Sequence, residues 1–154
     1  MDSTIPALDA VVIEEDTFLV LSAEPIMHEP TQSLEELERE LMEFSPPQPG
    51  SVLMRPGNPA ELLAIVHELD HSPTWREEWI AAAIDAVIER AQQHQLRRLA
   101  MPLLGTIHGR FPARRFIALL RSALERTQPN YPRELWLAVP RQDLGTVRGL
   151  LAAS

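Results

Sequence analysis

Along this chain the hydrophobic and polar positions follow two rhythms that alternate with each other. Short apolar runs bounded by turn residues predict strands at Ala10 to Ile13, Phe18 to Leu21, Ser51 to Met54, Leu62 to Leu69, Leu99 to Leu104 and Glu134 to Val139. Apolar residues three and four apart predict helices between them. Leu34, Leu37, Leu41 and Phe44 mark one, opened by the capping box of Ser33 and Glu36 and stopped by the proline-rich Ser45 to Gly50. Trp75, Trp79, Ile80, Ala83, Ile84, Val87, Ile88 and Ala91 form the longest stripe, with Thr74 and Glu77 as its expected capping box. Phe116, Ile117, Leu120 and Leu124 predict a helix from Pro112 to Arg126, and Leu144, Val147, Leu150 and Leu151 a last one from Gln142. Glu14-Glu15-Asp16 reads as an acidic turn between the first two strands, residues 1–9 as a loose start, and Ser22 to Pro30 as a loop.

From residue 51 onward strand and helix alternate, which predicts one α/β domain with a mostly parallel sheet. Ligands of such sheets bind beyond the carboxyl ends of the strands. Gly105 to Gly109 falls there, between an uncharged strand and a helix whose first position suits Pro112. A strand, a glycine turn and a helix N-terminus together aim backbone N–H groups and a partial positive charge at one spot, which suits phosphate.

Charge sharpens that expectation. The net charge is −8, but residues 1–50 hold twelve of the 22 acids and only Arg39 among the 14 basic residues. Arginines at 97, 98, 110, 114, 115 and 121 surround the glycine turn, and no acid occurs between Glu89 and Glu125. An acidic chain with one basic region favours a small anionic ligand and disfavours duplex nucleic acid as a partner. There is no cysteine and no lysine, which excludes disulfides, thiolate metal sites, and cysteine or lysine nucleophiles. No apolar run approaches the length of a membrane span and the N-terminus lacks a signal pattern, so a cytoplasmic protein with no membrane partner is expected. His28, His71, His94 and His108 lack metal-ligand spacing, and His67 inside an apolar strand reads as a hydrogen-bonded core residue. Neither a metal nor a cofactor is called for, and the oligomeric state stays open.

Several stretches resemble the macro domains, a family that binds ADP-ribose. Pro102 to Pro112, PLLGTIHGRFP, is similar to the family's second ligand loop, P-A-L-G-T-G-x-G-G-F-P. Gly50-Ser51-Val52-Leu53-Met54-Arg55-Pro56-Gly57-Asn58 followed by Ile65-Val66-His67 resembles its glycine, strand, P-x-G-N turn and V-I-H run. His71-Ser72-Pro73-Thr74-Trp75 stands where the family has G-P-x-W before a long helix. The match runs from Gly50 to Val139 within a single domain of residues 1–154, with 1–50 the divergent part. The resemblance implies a three-layer α/β/α fold with a mixed, mostly parallel sheet. It also implies a nucleotide ligand such as ADP-ribose, free or attached to a protein, and in some members hydrolysis that releases ADP-ribose with water as nucleophile.

The departures concern the site. The family's first loop has an aspartate at a strand start, then N-A-A-N and a glycine-rich stretch. Aligned here, Phe18 to Pro25 carries Ser22-Ala23-Glu24 instead, with no glycine before Ser33. The loop asparagine that orders water in the hydrolases of this family is missing. In the second loop Ile107 stands in a glycine position, and Arg110 in another. The expected ligand contacts are Ser22 and Ala23 in the first loop and Gly105, Thr106, Ile107, His108, Gly109, Arg110 and Phe111 in the second. Phe111 suits either a ribose contact or a hydrophobic staple into the next helix. Glu24 is a weak candidate for a general base, or a solvated glutamate before proline. Three functions remain: a hydrolase, a non-catalytic reader of a nucleotide signal, and a structural or protein-interaction domain with a degenerate pocket.

Overall fold

A computed structural model describes residues 7–17, 47–70, 72–106 and 110–152. Its elements in chain order are β1 (Ala10–Asp16), β2 (Val52–Arg55), β3 (Ala60–His67), α1 (Glu77–Gln93), β4 (Arg98–Pro102), α2 (Ala113–Thr127), β5 (Glu134–Ala138), a 3-10 turn (Arg141–Asp143) and α3 (Leu144–Ala152). The sheet order is β2-β3-β1-β4-β5, with β2 antiparallel to β3 and every other neighbour parallel. This is the α/β architecture with a mostly parallel sheet that the alternation of elements predicts, and the antiparallel β2 makes the sheet mixed, as the resemblance implies. The strand expected at Phe18 to Leu21 and the helix expected at Ser33 to Phe44 lie outside the described residues.

One face of the sheet makes the core. Ala10 and Val12 of β1, Leu62, Ala64 and Val66 of β3, and Leu99 and Met101 of β4 alternate along their strands onto that face. Against them α1 sets Ile80, Ala83, Ile84, Val87, Ile88 and Ala91, and α2 sets Phe116, Ile117, Leu120 and Ala123, all buried. Each fully buried Ile, Leu or Phe contributes about 2 kcal/mol of transfer free energy, so these stripes rather than helix propensity hold α1 and α2 in place. β5 is the outer strand on its side. Its Trp136 is 47% exposed.

Several strand and helix ends shift by one to three residues from the sequence reading, and three of the differences bear on the site. β1 continues through Glu14-Glu15-Asp16 and turns only at Thr17, because these acids are buried and bonded at the end of the strand rather than solvated in a turn. α1 begins at Glu77 with Arg76 as its N-cap and no side-chain capping bond, so the Thr74–Glu77 box does not form. The Thr74 hydroxyl is taken by His67 and the Glu77 carboxylate by Arg115. Trp75 therefore lies ahead of the helix, in an isolated bridge with His67. Pro112 is the N-cap of α2, one place before the position expected for it. Its ψ of 131° shows the chain still extended there.

Candidate ligand-binding site

The carboxyl ends of β1, β3 and β4 share one edge of the sheet. From β1 the chain goes to the β2–β3 side, whereas from β4 it goes through α2 to β5 on the other side. Neighbouring strands whose connections leave in opposite directions open a crevice between them. The β1–β4 ladder agrees: it contains only Ala10↔Leu99 and Val11↔Ala100, and beyond them the strands part.

What fills the root of this crevice is a chain of polar contacts centred on Glu14. Gly105 N–H donates to Glu14 Oε1 at 2.7 Å, across the gap between the strand ends. The other carboxylate oxygen, Oε2, lies 2.5 Å from His67 Nε2. His67 Nδ1 in turn is 2.9 Å from Thr74 Oγ1. An ionised carboxylate only accepts, so Nε2 carries the proton toward Glu14. In neutral His67 the free Nδ1 then accepts from the Thr74 hydroxyl. The side chains of His67 and Glu14 are 1% and 7% exposed, so burial strengthens these bonds and raises the cost of breaking them.

A register slip makes the contact possible. Glu15 pairs with Ile65 but Asp16 pairs with His67, leaving Val66 as one extra residue on β3. Side chains alternate faces along a strand, so a slip of one residue turns His67 onto the face of Asp16 and Glu14. Glu15 and Asp16 are fully buried beside it and engaged in interactions of their own.

The glycine turn is equally determined. Gly105 has φ +81°, and a Cβ there would stand 2.7 Å from Ile80 Cδ1 and 3.0 Å from Phe111 Cβ. Only glycine meets both conditions without strain. Its carbonyl accepts from Phe111 N–H at 2.9 Å, which closes the loop. Thr106 turns back on Leu103, donating both its N–H (3.1 Å) and its hydroxyl (2.8 Å) to that carbonyl. Phe111 is 4% exposed, with its ring centroid 5.1 Å from that of Trp75. Arg110 adopts φ +59°, is exposed, and has no side-chain partner among the described residues. Arg114 in the first turn of α2 is likewise exposed and unpaired, whereas Arg115 binds Glu77 at the start of α1, which holds that carboxyl below its usual range and raises the guanidinium.

No protein-family model and no curated protein matches the chain. Solved structures do. An Oceanobacillus iheyensis macrodomain with ADP is 12% identical over 94% of this chain and 83% of that one, with a TM-score of 0.67. A Trypanosoma brucei macrodomain in complex with ADP-ribose is 17% identical over 96% of this chain and 64% of that one, at 0.63. An alphavirus P23pro-zbd structure is 16% identical over 94% of this chain, at 0.60, and this chain spans 22% of its length. The chain has the macrodomain fold. At such identities it is the path of the backbone that is shared, and the side chains at the site must be taken from this molecule.

On this macrodomain framework the expected residues divide three ways. Gly105, Thr106, Arg110 and Phe111 are brought together at the crevice, although the Gly105 and Thr106 amides are engaged internally and Phe111 is packed into the core. Ile107, His108 and Gly109 fall outside the described residues, as do Ser22, Ala23 and Glu24. The strand end that reaches the glycine loop is Glu14-Glu15-Asp16. Just before β1, the Asp9 carboxylate accepts from the backbone N–H of Arg97 (2.7 Å) and Arg98 (3.0 Å). Sequence reading missed Glu14 and Thr74. A histidine in an apolar strand, with a carboxylate on another strand and a hydroxyl seven residues on, was the signal available. Among the described residues no group of histidines and carboxylates is arranged to hold a metal, and no helix is long and apolar enough to cross a membrane.

Proposed function

We propose that the chain binds ADP-ribose, or a closely related nucleotide diphosphate, in the crevice beyond β1 and β4. The observation that carries this reading is the Gly105–Phe111 loop, closed on itself at the strand switch point. Arg110 and Arg114, without a side-chain partner among the described residues, stand at its exit and at the start of α2. Anions are favoured there by the helix N-terminus and by guanidinium groups that can take phosphate oxygens two at a time. The macrodomains of similar backbone solved with ADP and ADP-ribose support the same ligand class. An ADP-ribosylated protein is the partner this reading implies, in a cytoplasmic setting.

Binding without turnover is the favoured form of the activity. The strand end at the loop presents Glu14, whose two oxygens are held by Gly105 and His67, so it is not free to activate water. The test is calorimetric titration with ADP-ribose, ADP, AMP and NAD, beside chromatography of an ADP-ribosylated peptide incubated with the protein. ADP-ribose should bind in the micromolar range, and Arg110→Ala combined with Arg114→Ala should weaken it about tenfold, as the loss of charge-assisted contacts predicts. Absence of heat from folded protein with all four nucleotides would refute the reading. Release of ADP-ribose from the peptide would make the protein a hydrolase instead.

A further inference from the structure

We infer that Glu14 is an internal anion of the crevice, which keeps the Gly105 amide from the ligand and selects esterified diphosphates over terminal phosphates. The inference rests on the nucleotide-binding reading above and names what that site discriminates. Gly105 N–H lies three residues past β4, where strand, glycine turn and helix converge, and an incoming phosphate would be its natural partner. It already has one. Glu14 Oε1 holds it at 2.7 Å, and the carboxylate is fixed from behind by His67 and, through His67, by Thr74. A group anchored at both oxygens and 7% exposed does not swing aside. The negative charge therefore stays 2.7 Å from the Gly105 nitrogen, the donor that a phosphate entering there would otherwise take.

The consequence is a preference by charge. ADP and ADP-ribose share the adenosine diphosphate, but the terminal phosphate of ADP ionises a second time near neutral pH, whereas in ADP-ribose that phosphate is esterified. ADP thus brings up to one extra negative charge toward Glu14. At contact distance, even with water-like screening, one such charge changes affinity about fivefold.

Glu14→Gln removes the charge while leaving every bond a partner. The amide oxygen can accept from Gly105 and its NH2 can donate to His67 Nε2, provided the imidazole proton moves to Nδ1 and donates to Thr74 Oγ1. The experiment is titration of wild type and Glu14→Gln with ADP-ribose and ADP, with thermal melts to show that both are folded. Wild type should favour ADP-ribose over ADP, and the ratio of the two dissociation constants should shrink about fivefold in the variant because ADP gains more. An unchanged ratio in a folded variant would overturn the inference, and so would a variant that loses both ligands. Binding of neither nucleotide by either protein would overturn the nucleotide reading itself, and this inference with it. A second measurement needs only wild type. In 1H–15N spectra with ADP-ribose added, the Gly105 amide should move little while the amide of Arg110 moves; Gly105 among the most shifted signals would show that the ligand, not Glu14, takes the donor.

Discussion

The same device ties β1 to β4 at both ends of their short ladder, and the two versions differ in almost everything but the bond. At the carboxyl end Glu14 accepts from Gly105 N–H, is 7% exposed, and is backed by a buried histidine. At the amino end Asp9 accepts from Arg97 and Arg98 N–H, but it lies open in a cleft of about 470 Å³ lined by Arg97, Arg98, Arg133 and Glu134. Around Asp9, water can replace any lost partner and guanidinium groups screen the charge. Glu14, at 7% exposure, leaves water little room to do so. A carboxylate that accepts backbone N–H groups is worth little or much according to what would solvate those groups in its absence.

Truncating each clasp breaks the comparison most directly. Glu14→Ala takes away the carboxylate that meets the buried His67 Nε2 and accepts from the Gly105 N–H, and should destabilise the fold by about 3 kcal/mol in chemical denaturation, whereas Asp9→Ala should cost about 1 kcal/mol. Equal losses would mean that burial does not set the difference. Next in size is Gly105→Ala, expected to cost about 2 kcal/mol from its positive φ and the crowding against Phe111 and Ile80. A neutral result there would show that the loop can be rebuilt around a side chain. Smallest is Glu77→Gln, which removes the exposed pair with Arg115. The folded carboxyl of Glu77 lies below its ordinary value of 4.5, so its contribution is present above that value and lost as the pH falls through the folded one. The melting temperatures of Glu77→Gln and wild type should therefore differ slightly at neutral pH and converge in acid.

The fold was largely legible because its signals are periodic. The stripe from Ile80 to Ala91 and the alternation of strand and helix survive any local error. At the site, legibility split by the kind of interaction. Gly105, Pro112 and the arginines follow local rules of φ, helix entry and charge, and they stand out in a single stretch. Glu14 does not. A run of three acids resembles a turn unless one knows that Gly105, 91 residues later, supplies an N–H to it. Thr74 misled for a related reason. Its hydroxyl is placed to cap a helix, but a buried imidazole makes the stronger claim on it, and the helix starts later without a side-chain cap. His67 was correctly expected to be a hydrogen-bonded core residue, yet the slip at Val66 that aims it is invisible to strict alternation.

The short β1–β4 ladder also bears on how the molecule can move. β3 is paired with β1 at seven positions and with β2 at four, and β4 is paired with β5 along its whole length, so each group behaves as a stiff plate. Among the described residues, what joins the two plates edge to edge is two residue pairs, the Asp9 N–H bond to the Arg98 carbonyl and the two carboxylates. Bending is easiest at that seam. A rotation of the β4–β5 plate, carrying α2 with it, against the plate that carries β1 would widen the crevice while leaving both plates intact. Such hinge motions belong to the microsecond-to-millisecond range, where relaxation-dispersion measurements on the Leu99 and Ala100 amides would find them.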